Sequence, residues 1–173
     1  MLDAWGDHPA VRQTLAEASA ALGEDLGALI HAGPKEQLDL TTNTQPVMLA
    51  AGVACYRAWL AEGGAVPAAV AGHSLGEYSA LVAAGSLSLA DALPLVRLRA
   101  QAMQEAVPVG VGAMAAILGL EAEAVRAGCA DAAVASGEVV EAVNFNDPKQ
   151  TVIAGSKAGV AAACELLKAR GAK

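Results

Sequence analysis

The sequence predicts an α/β chain in two parts, and three observations carry that prediction. A short apolar run, Pro67 to Gly72, leads through a glycine-bounded turn into a helical pattern that begins after Ser74. From Gly112 onward the apolar pattern reads strand, helix, strand, strand, helix. Ahead of both, apolar residues recur at helical spacing, with glycine or proline at the stops. The expected division is residues 1–110 for the first part and 111–173 for the second.

Taken in order, Pro9 suits the first turn of a helix, and Val11, Leu15, Ala18 and Leu22 follow at helical spacing. Gly33-Pro34 ends a shorter helical stretch. Thr44 precedes a long helix with the stripe Leu49, Val53, Tyr56 and Leu60, stopped by Gly63-Gly64. Pro67 to Gly72 has the length and composition of a buried strand, and Leu75, Tyr78, Leu81 and Val82 return to helical spacing. A further helix is expected from Ser88, paired with Asp91 in the manner of a capping box. Pro94 should cost it one backbone hydrogen bond and kink it.

The second part predicts a strand Ala113 to Leu118, a helix from Glu121 to about Ala133 and a strand Val139 to Phe145. A turn at Asn146-Asp147-Pro148, a strand Gln150 to Ala154 and a helix Lys157 to Arg170 complete it. The order β-α-β-β-α is that of a split βαβ, or ferredoxin-like, unit short of its last strand.

Composition excludes several functions. With 55% hydrophobic and 17% charged residues the chain should fold, and a net charge of -7 leaves no basic stripe for nucleic acid. The longest uncharged apolar run, Val107 to Leu120, is shorter than the roughly 18 to 20 residues that span a bilayer, so no membrane is expected and the location should be cytoplasmic. Cys55, Cys129 and Cys164 are odd in number and widely spaced, which suits small core residues in a reducing compartment. None has a Cys or His at ligand spacing, so no metal is expected.

Chemistry is concentrated in Gly72-His73-Ser74-Leu75-Gly76. A serine flanked by glycines two positions either side, between strand and helix, is a nucleophile elbow, whose tight turn frees Oγ from the backbone. The helix that starts there would aim the Leu75 N–H and the positive end of its dipole at an oxyanion beside Oγ. The same spacing also fits a serine that merely caps the helix. His73 is adjacent, but neighbours on a sharp turn point apart and do not meet.

On the helix after Ser88, positions 92, 95, 96, 99, 102, 103 and 106 share one face, where Arg99 stands among apolar residues. Arg97, with Gln101 and Gln104, falls on the face expected to be solvated. An arginine in an apolar face needs an anionic partner, and its fork suits a carboxylate; the spacing leaves open whether that partner is structural or a ligand. Asn144 and Asn146 could line a cleft, although turn chemistry explains Asn146 equally well.

The wording GHSLGEYSALVAAG, TQPVMLA, MQEAVPVGVGAMAAILGL and NFNDPKQTVIAG resembles malonyl-CoA:acyl carrier protein transacylases of fatty acid synthesis, and more distantly the acyltransferase domains of polyketide synthases. The resemblance implies an α/β-hydrolase-like domain carrying a ferredoxin-like insertion, which this chain would contain incompletely. It also implies ping-pong transfer of malonyl from coenzyme A to the phosphopantetheine thiol of acyl carrier protein through an ester on Ser74. Malonyl-CoA is then a substrate and no cofactor is expected. Arg99 falls where the family holds the malonyl carboxylate, Gln45 in TQPVMLA where it has an active-site glutamine, and the Leu75 N–H would be one oxyanion donor.

Two departures follow from the same resemblance. The family opens with a buried strand and a Gly-Gln-Gly-Ser-like loop, and this chain would begin after them. Its general base is a downstream histidine, whereas here His8 and His31 precede the serine and none follows His73. The chain alone is therefore expected to be inactive. Two other readings stand beside this one: a serine esterase or thioesterase of α/β-hydrolase type, disfavoured by a charged acyl pocket, and a non-catalytic fragment.

Overall fold

The computed structural model describes residues 2–108 and 110–173. Met1 lies outside them, as does Val109 within the apolar run Val107 to Leu120. The architecture is mixed α/β, with one small three-stranded sheet, and the chain divides into two compact units, Met1–Ala106 and Val107–Lys173.

In the first unit a 3-10 turn, Asp3–Trp5, precedes α1 (Pro9–Leu22), α2 (Leu26–Ala32), α3 (Lys35–Leu38), α4 (Thr41–Ala61), α5 (Leu75–Ala83) and α6 (Leu89–Ala106). The His8 ring caps α1 by accepting from Ala10 N–H at 3.2 Å, and left-handed Gly23 ends it. The core joins Val11, Leu15 and Ala18 of α1, Leu49, Ala50, Val53 and Ala54 of α4, and Leu89, Ala92, Leu93 and Val96 of α6. The alanines let these helix axes approach closely. At the edge of this packing Arg57 donates to Glu17 Oε2 at 2.6 Å, tying α4 to α1.

Three expectations are corrected here. No strand forms at Pro67 to Gly72: the segment is irregular and exposed, with Val70 at 38% of full exposure and Val66 just before it at 74%. An apolar run becomes a strand only where another strand accepts its ladder, and among the described residues every ladder partner lies in the second unit. Helix α4 starts at Thr41 rather than after Thr44, whose Oγ1 bonds back to the Leu40 carbonyl at 3.0 Å inside the first turn. The buried face of α6 is Leu89, Ala92, Leu93, Val96 and Ala100, whereas Leu95 and Met103, assigned inward from spacing, are half-exposed. The start of α6 is as expected, with Ser88 Oγ accepting from Asp91 N–H at 3.0 Å, and the helix runs unbroken through Pro94.

The second unit runs β1 (Gly112–Leu118), α7 (Ala122–Ser136), β2 (Val140–Asp147), β3 (Gln150–Ser156) and α8 (Lys157–Ala169). The sheet order is β1-β3-β2, antiparallel throughout, in the register Ala115↔Ile153 and Ala142↔Ile153. Both helices contribute to one core: Ile117, Val140 and Ile153 from the sheet meet Val125 and Cys129 of α7 and Val160 and Leu167 of α8. Gly128 permits the helix contact, since a Cβ there would lie 2.4 Å from Leu167 Cδ2. The β2–β3 turn falls at Pro148-Lys149, later than expected, because Asp147 stays in the strand and its Oδ1 accepts from Lys149 N–H at 3.0 Å. Leu118 and Lys173 exchange two backbone hydrogen bonds of 2.9 Å on the side of β1 away from β3.

The corrected face of α6 has a direct test. Leu93 is fully buried and Leu95 is 47% exposed, so Leu93→Ala should cost about 2–5 kcal/mol in urea unfolding and Leu95→Ala less than about 1 kcal/mol. The reverse ranking would restore the face inferred from spacing.

Candidate active site

Ser74 has φ 54° and ψ -115°, and among the described residues no other non-glycine residue has positive φ. Such a conformation costs on the order of 1–3 kcal/mol in an L-residue and persists only where its surroundings impose it. Here the imposing group is the first turn of α5. A Cβ on Gly72 would stand 2.0 Å from the carbonyl carbon and oxygen of Gly76, so only glycine fits where the chain crosses that turn. Gly76 N–H donates to the His73 carbonyl at 2.9 Å and Glu77 N–H to the Ser74 carbonyl at 3.2 Å, closing the elbow. Leu75 is the first residue of α5, and among the described residues its N–H has no hydrogen-bond acceptor.

Around this elbow the structure brings together two of the other side chains singled out from sequence, Arg99 and Gln45. Arg99 Nη2 donates to Ser74 Oγ at 2.7 Å, and its Nη1 donates to Gln45 Oε1 at 2.5 Å. Gln45 is only 7% exposed, and its Nε2 points at Met103 Sδ, 3.4 Å away. Arg99 itself sits at the margin of the α6 core stripe and is half-buried, so the enclosed apolar setting expected for it is not what the structure shows.

Its electrostatic setting is more informative than its burial. Arg12, Arg57, Arg97, Arg126 and Arg170 each lie within 4.0 Å of a carboxylate, on Asp7, Glu17, Glu24, Glu123 and Asp131. Among the described residues Arg99 has no carboxylate partner; both bonded groups are neutral. Its guanidinium therefore keeps an uncompensated charge beside Ser74 Oγ, an arrangement suited to a small anion. Arg97, expected on the solvated face, is instead largely buried, with a side chain 16% exposed that holds Glu24 at 2.7 Å and Asn43 at 2.9 Å. Sequence spacing missed it because Glu24 lies 73 residues away along the chain.

None of the three histidines reaches the serine by a hydrogen bond among the described residues. His8 accepts from Ala10 N–H at Nδ1, so its Nε2–H donates to Glu62 Oε1 at 3.0 Å. His31 Nδ1 stands 3.6 Å from Asp3 Oδ1, and His73 is exposed on the turn. Asn144 is half-buried and Asn146 exposed, both on β2 in the second unit. Burial pushes the Cys129 thiol above its ordinary pKa, with Cys164 and Glu141 acting the same way, so it is a core residue rather than a nucleophile. Among the described residues no cluster of three His, Cys, Asp or Glu could hold a metal, and no helix is long and apolar enough to cross a membrane.

The serine is thus held at positive φ with the Leu75 N–H at the start of α5 beside it and Arg99 bonded to its Oγ, a geometry shared with nucleophile elbows. The chain belongs to the acyl transferase domain family, whose model matches residues 5–173. It is 54% identical to the malonyl CoA-acyl carrier protein transacylase of Escherichia coli K12 over its whole length and 48% identical to that of Bacillus subtilis over 165 residues. Among solved structures it matches the acyl-carrier-protein S-malonyltransferase of Burkholderia pseudomallei with TM-score 0.94 and 66% identity over 99% of the chain. It also matches a malonyl-transacylase in complex with a type II polyketide synthase acyl carrier protein, with TM-score 0.93 and 52% identity over the whole chain. The chain spans 55% of the Escherichia coli relative, 51% of the Bacillus one, and 55% and 56% of those two solved chains.

The elbow geometry separates its two glycines. Gly72→Ala should lower unfolding free energy by about 1–3 kcal/mol because its Cβ meets backbone that cannot give. A Cβ on Gly76, in the first turn of α5, meets nothing within 4 Å, so Gly76→Ala should be neutral or stabilise by up to about 1 kcal/mol. Equal losses at both positions would mean that the elbow is not packed as described.

Proposed function

We propose that this chain carries the serine portion of an acyltransferase that moves malonyl from coenzyme A to the phosphopantetheine thiol of acyl carrier protein, a step of fatty acid synthesis in the cytoplasm. The observation that carries the reading is Arg99: an arginine with no carboxylate partner among the described residues, bonded instead to Ser74 Oγ and Gln45 Oε1. In malonyl thioester the carboxylate carbon and the thioester carbonyl carbon are two bonds apart, roughly 2.5 Å. An arginine that binds the acid end while the serine attacks the other must therefore lie beside Oγ, and the 2.7 Å separation meets that condition.

In this mechanism Ser74 Oγ attacks the thioester carbonyl, forming the ester and expelling the coenzyme A thiolate, which takes up the serine proton. The carrier-protein thiol then attacks the ester, and Ser74 recovers its hydrogen. The Leu75 N–H donates to the carbonyl oxygen as it becomes anionic, with the α5 N-terminus behind it. The malonyl carboxylate takes over the Arg99 fork, replacing the bond that Nη2 now makes to Ser74, while Gln45 keeps the guanidinium in place. A neutral-acyl esterase has no use for an uncompensated guanidinium at this distance, which sets that reading aside. The elbow and the β-α-β-β-α order further support an α/β-hydrolase-like domain with a ferredoxin-like insertion.

Three measurements test this. In the complete gene product, malonyl-CoA should leave one malonyl ester, located on Ser74 by peptide mass analysis and absent in Ser74→Ala. Arg99→Ala should weaken malonyl transfer by about 2–5 kcal/mol in kcat/KM and acetyl transfer far less. Labelling elsewhere would remove Ser74 from its role, and equal losses for both acyl groups would make Arg99 structural. The 173 residues alone should turn over near background, because no histidine is bonded to Ser74 among the described residues and a positioned base contributes about 10² to 10⁴ in rate. Robust transfer by the isolated chain would show that one of its own histidines acts as the base.

A further inference from the structure

We infer that Arg97 is a positioning residue for the acyl-binding fork: its bonds to Glu24 and Asn43 fix the roll and register of α6 against α4 and so hold Arg99 at Gln45 and Ser74. This rests on the malonyl-binding role of Arg99 proposed above.

Residues two apart on a helix point about 200° apart, so Arg97 and Arg99 leave α6 on opposite flanks. Between those flanks runs the core stripe Leu89, Leu93, Val96 and Ala100 that packs the helix into the unit. On one flank Arg97 Nη1 donates to Asn43 Oδ1 at 2.9 Å, and on the other Arg99 Nη1 donates to Gln45 Oε1. Asn43 and Gln45 are likewise two apart on α4, so the two arginines form paired rungs that brace the helix contact from both sides. A roll of α6 that displaced Arg99 from Ser74 would have to stretch the Arg97 rung.

The anchors of that rung are themselves fixed. Glu24 stands between left-handed Gly23, which ends α1, and Asp25, whose carboxylate caps α2, and Glu24 N–H donates to the Ser19 carbonyl at 3.2 Å. Asn43 Nδ2 donates to the Gln37 carbonyl at 2.9 Å, fixing the side chain whose oxygen receives Arg97. Arg97 Nε is buried with no hydrogen-bond partner, a cost that an arginine of the freely solvated kind would not carry. Burial, a carboxylate and an amide oxygen together make Arg97 a rigid strut two residues from the fork.

The test compares malonyl-CoA with acetyl-CoA as donors to acyl carrier protein, using the complete gene product. In Arg97→Gln the malonyl-over-acetyl preference in kcat/KM should fall roughly tenfold to a hundredfold, the scale of a misplacement of about 1 Å at the reacting centre. Arg97→Lys should not restore it, because one ammonium cannot span both oxygens as the fork does. Asn43→Ala and Glu24→Gln, with Arg97 intact, should each show a smaller loss of the same preference, and they decide the matter if Arg97→Gln fails to fold. A preference unchanged in the folded variants, even with lower total activity, would overturn the inference and leave Arg97 a structural clamp. A wild-type protein with no malonyl preference would instead overturn the proposed function, and the positioning role with it.

Discussion

Ser74 can face Arg99 only because its backbone is held at φ 54°, and the remainder of the site is arranged around that strained residue. The elbow persists because Gly72 crosses the first turn of α5 where no side chain fits, and because α5 begins at the next residue. The same turn that strains Ser74 exposes the Leu75 N–H at a helix N-terminus, so the local cost and the free N–H arise from one geometry. The offsetting stability comes from elsewhere, in the packing of α1, α4 and α6, which also carries Gln45 and Arg99 to the elbow.

Charge is distributed with the same economy. Five arginines are committed to carboxylates and hold elements together, as Arg57 does with Glu17 and Arg97 with Glu24. Arg99 is committed to neutral oxygens, which orient the guanidinium without cancelling it. The contrast between Arg97 and Arg99, two residues apart on one helix, shows that position in sequence does not decide whether an arginine is neutralised or left charged. The identity of the partner does.

Much of the second unit was legible, since β1, α7, β2, β3 and α8 all form where spacing put them, with boundaries shifted by a few residues. The serine elbow was also legible, because Gly-x-Ser-x-Gly encodes its own local geometry. Pairing between distant segments was not. The run Pro67 to Gly72 has strand composition, yet a strand is defined by neighbours that the local pattern does not contain. The face of α6 was misjudged for a related reason. Spacing groups residues into faces, but which face is buried depends on where α4 lies, and Ala92 and Ala100, not Leu95 and Met103, sit in the packed stripe. Gln45 was reached only through the family resemblance, since nothing in its surrounding sequence marks a buried amide as part of a site.

Under the proposed function, the choice of glutamine at position 45 follows from what the arginine would have to do. A carboxylate there would hold the Arg99 fork in the same geometry and more strongly, but it would neutralise the guanidinium and set a negative charge beside any incoming acid. An apolar side chain would leave the charge intact and the fork free to swing among rotamers. A buried amide does neither: its oxygen accepts from Nη1 and fixes the plane of the guanidinium, while its nitrogen is turned to the weakly accepting sulfur of Met103. The fork is thus oriented before an anion arrives, with only the Ser74 hydroxyl to displace from Nη2. In the proposed reaction that displacement would free the serine oxygen from a cationic donor as substrate binds, so that occupation of the arginine by the acid and release of the nucleophile would be a single event.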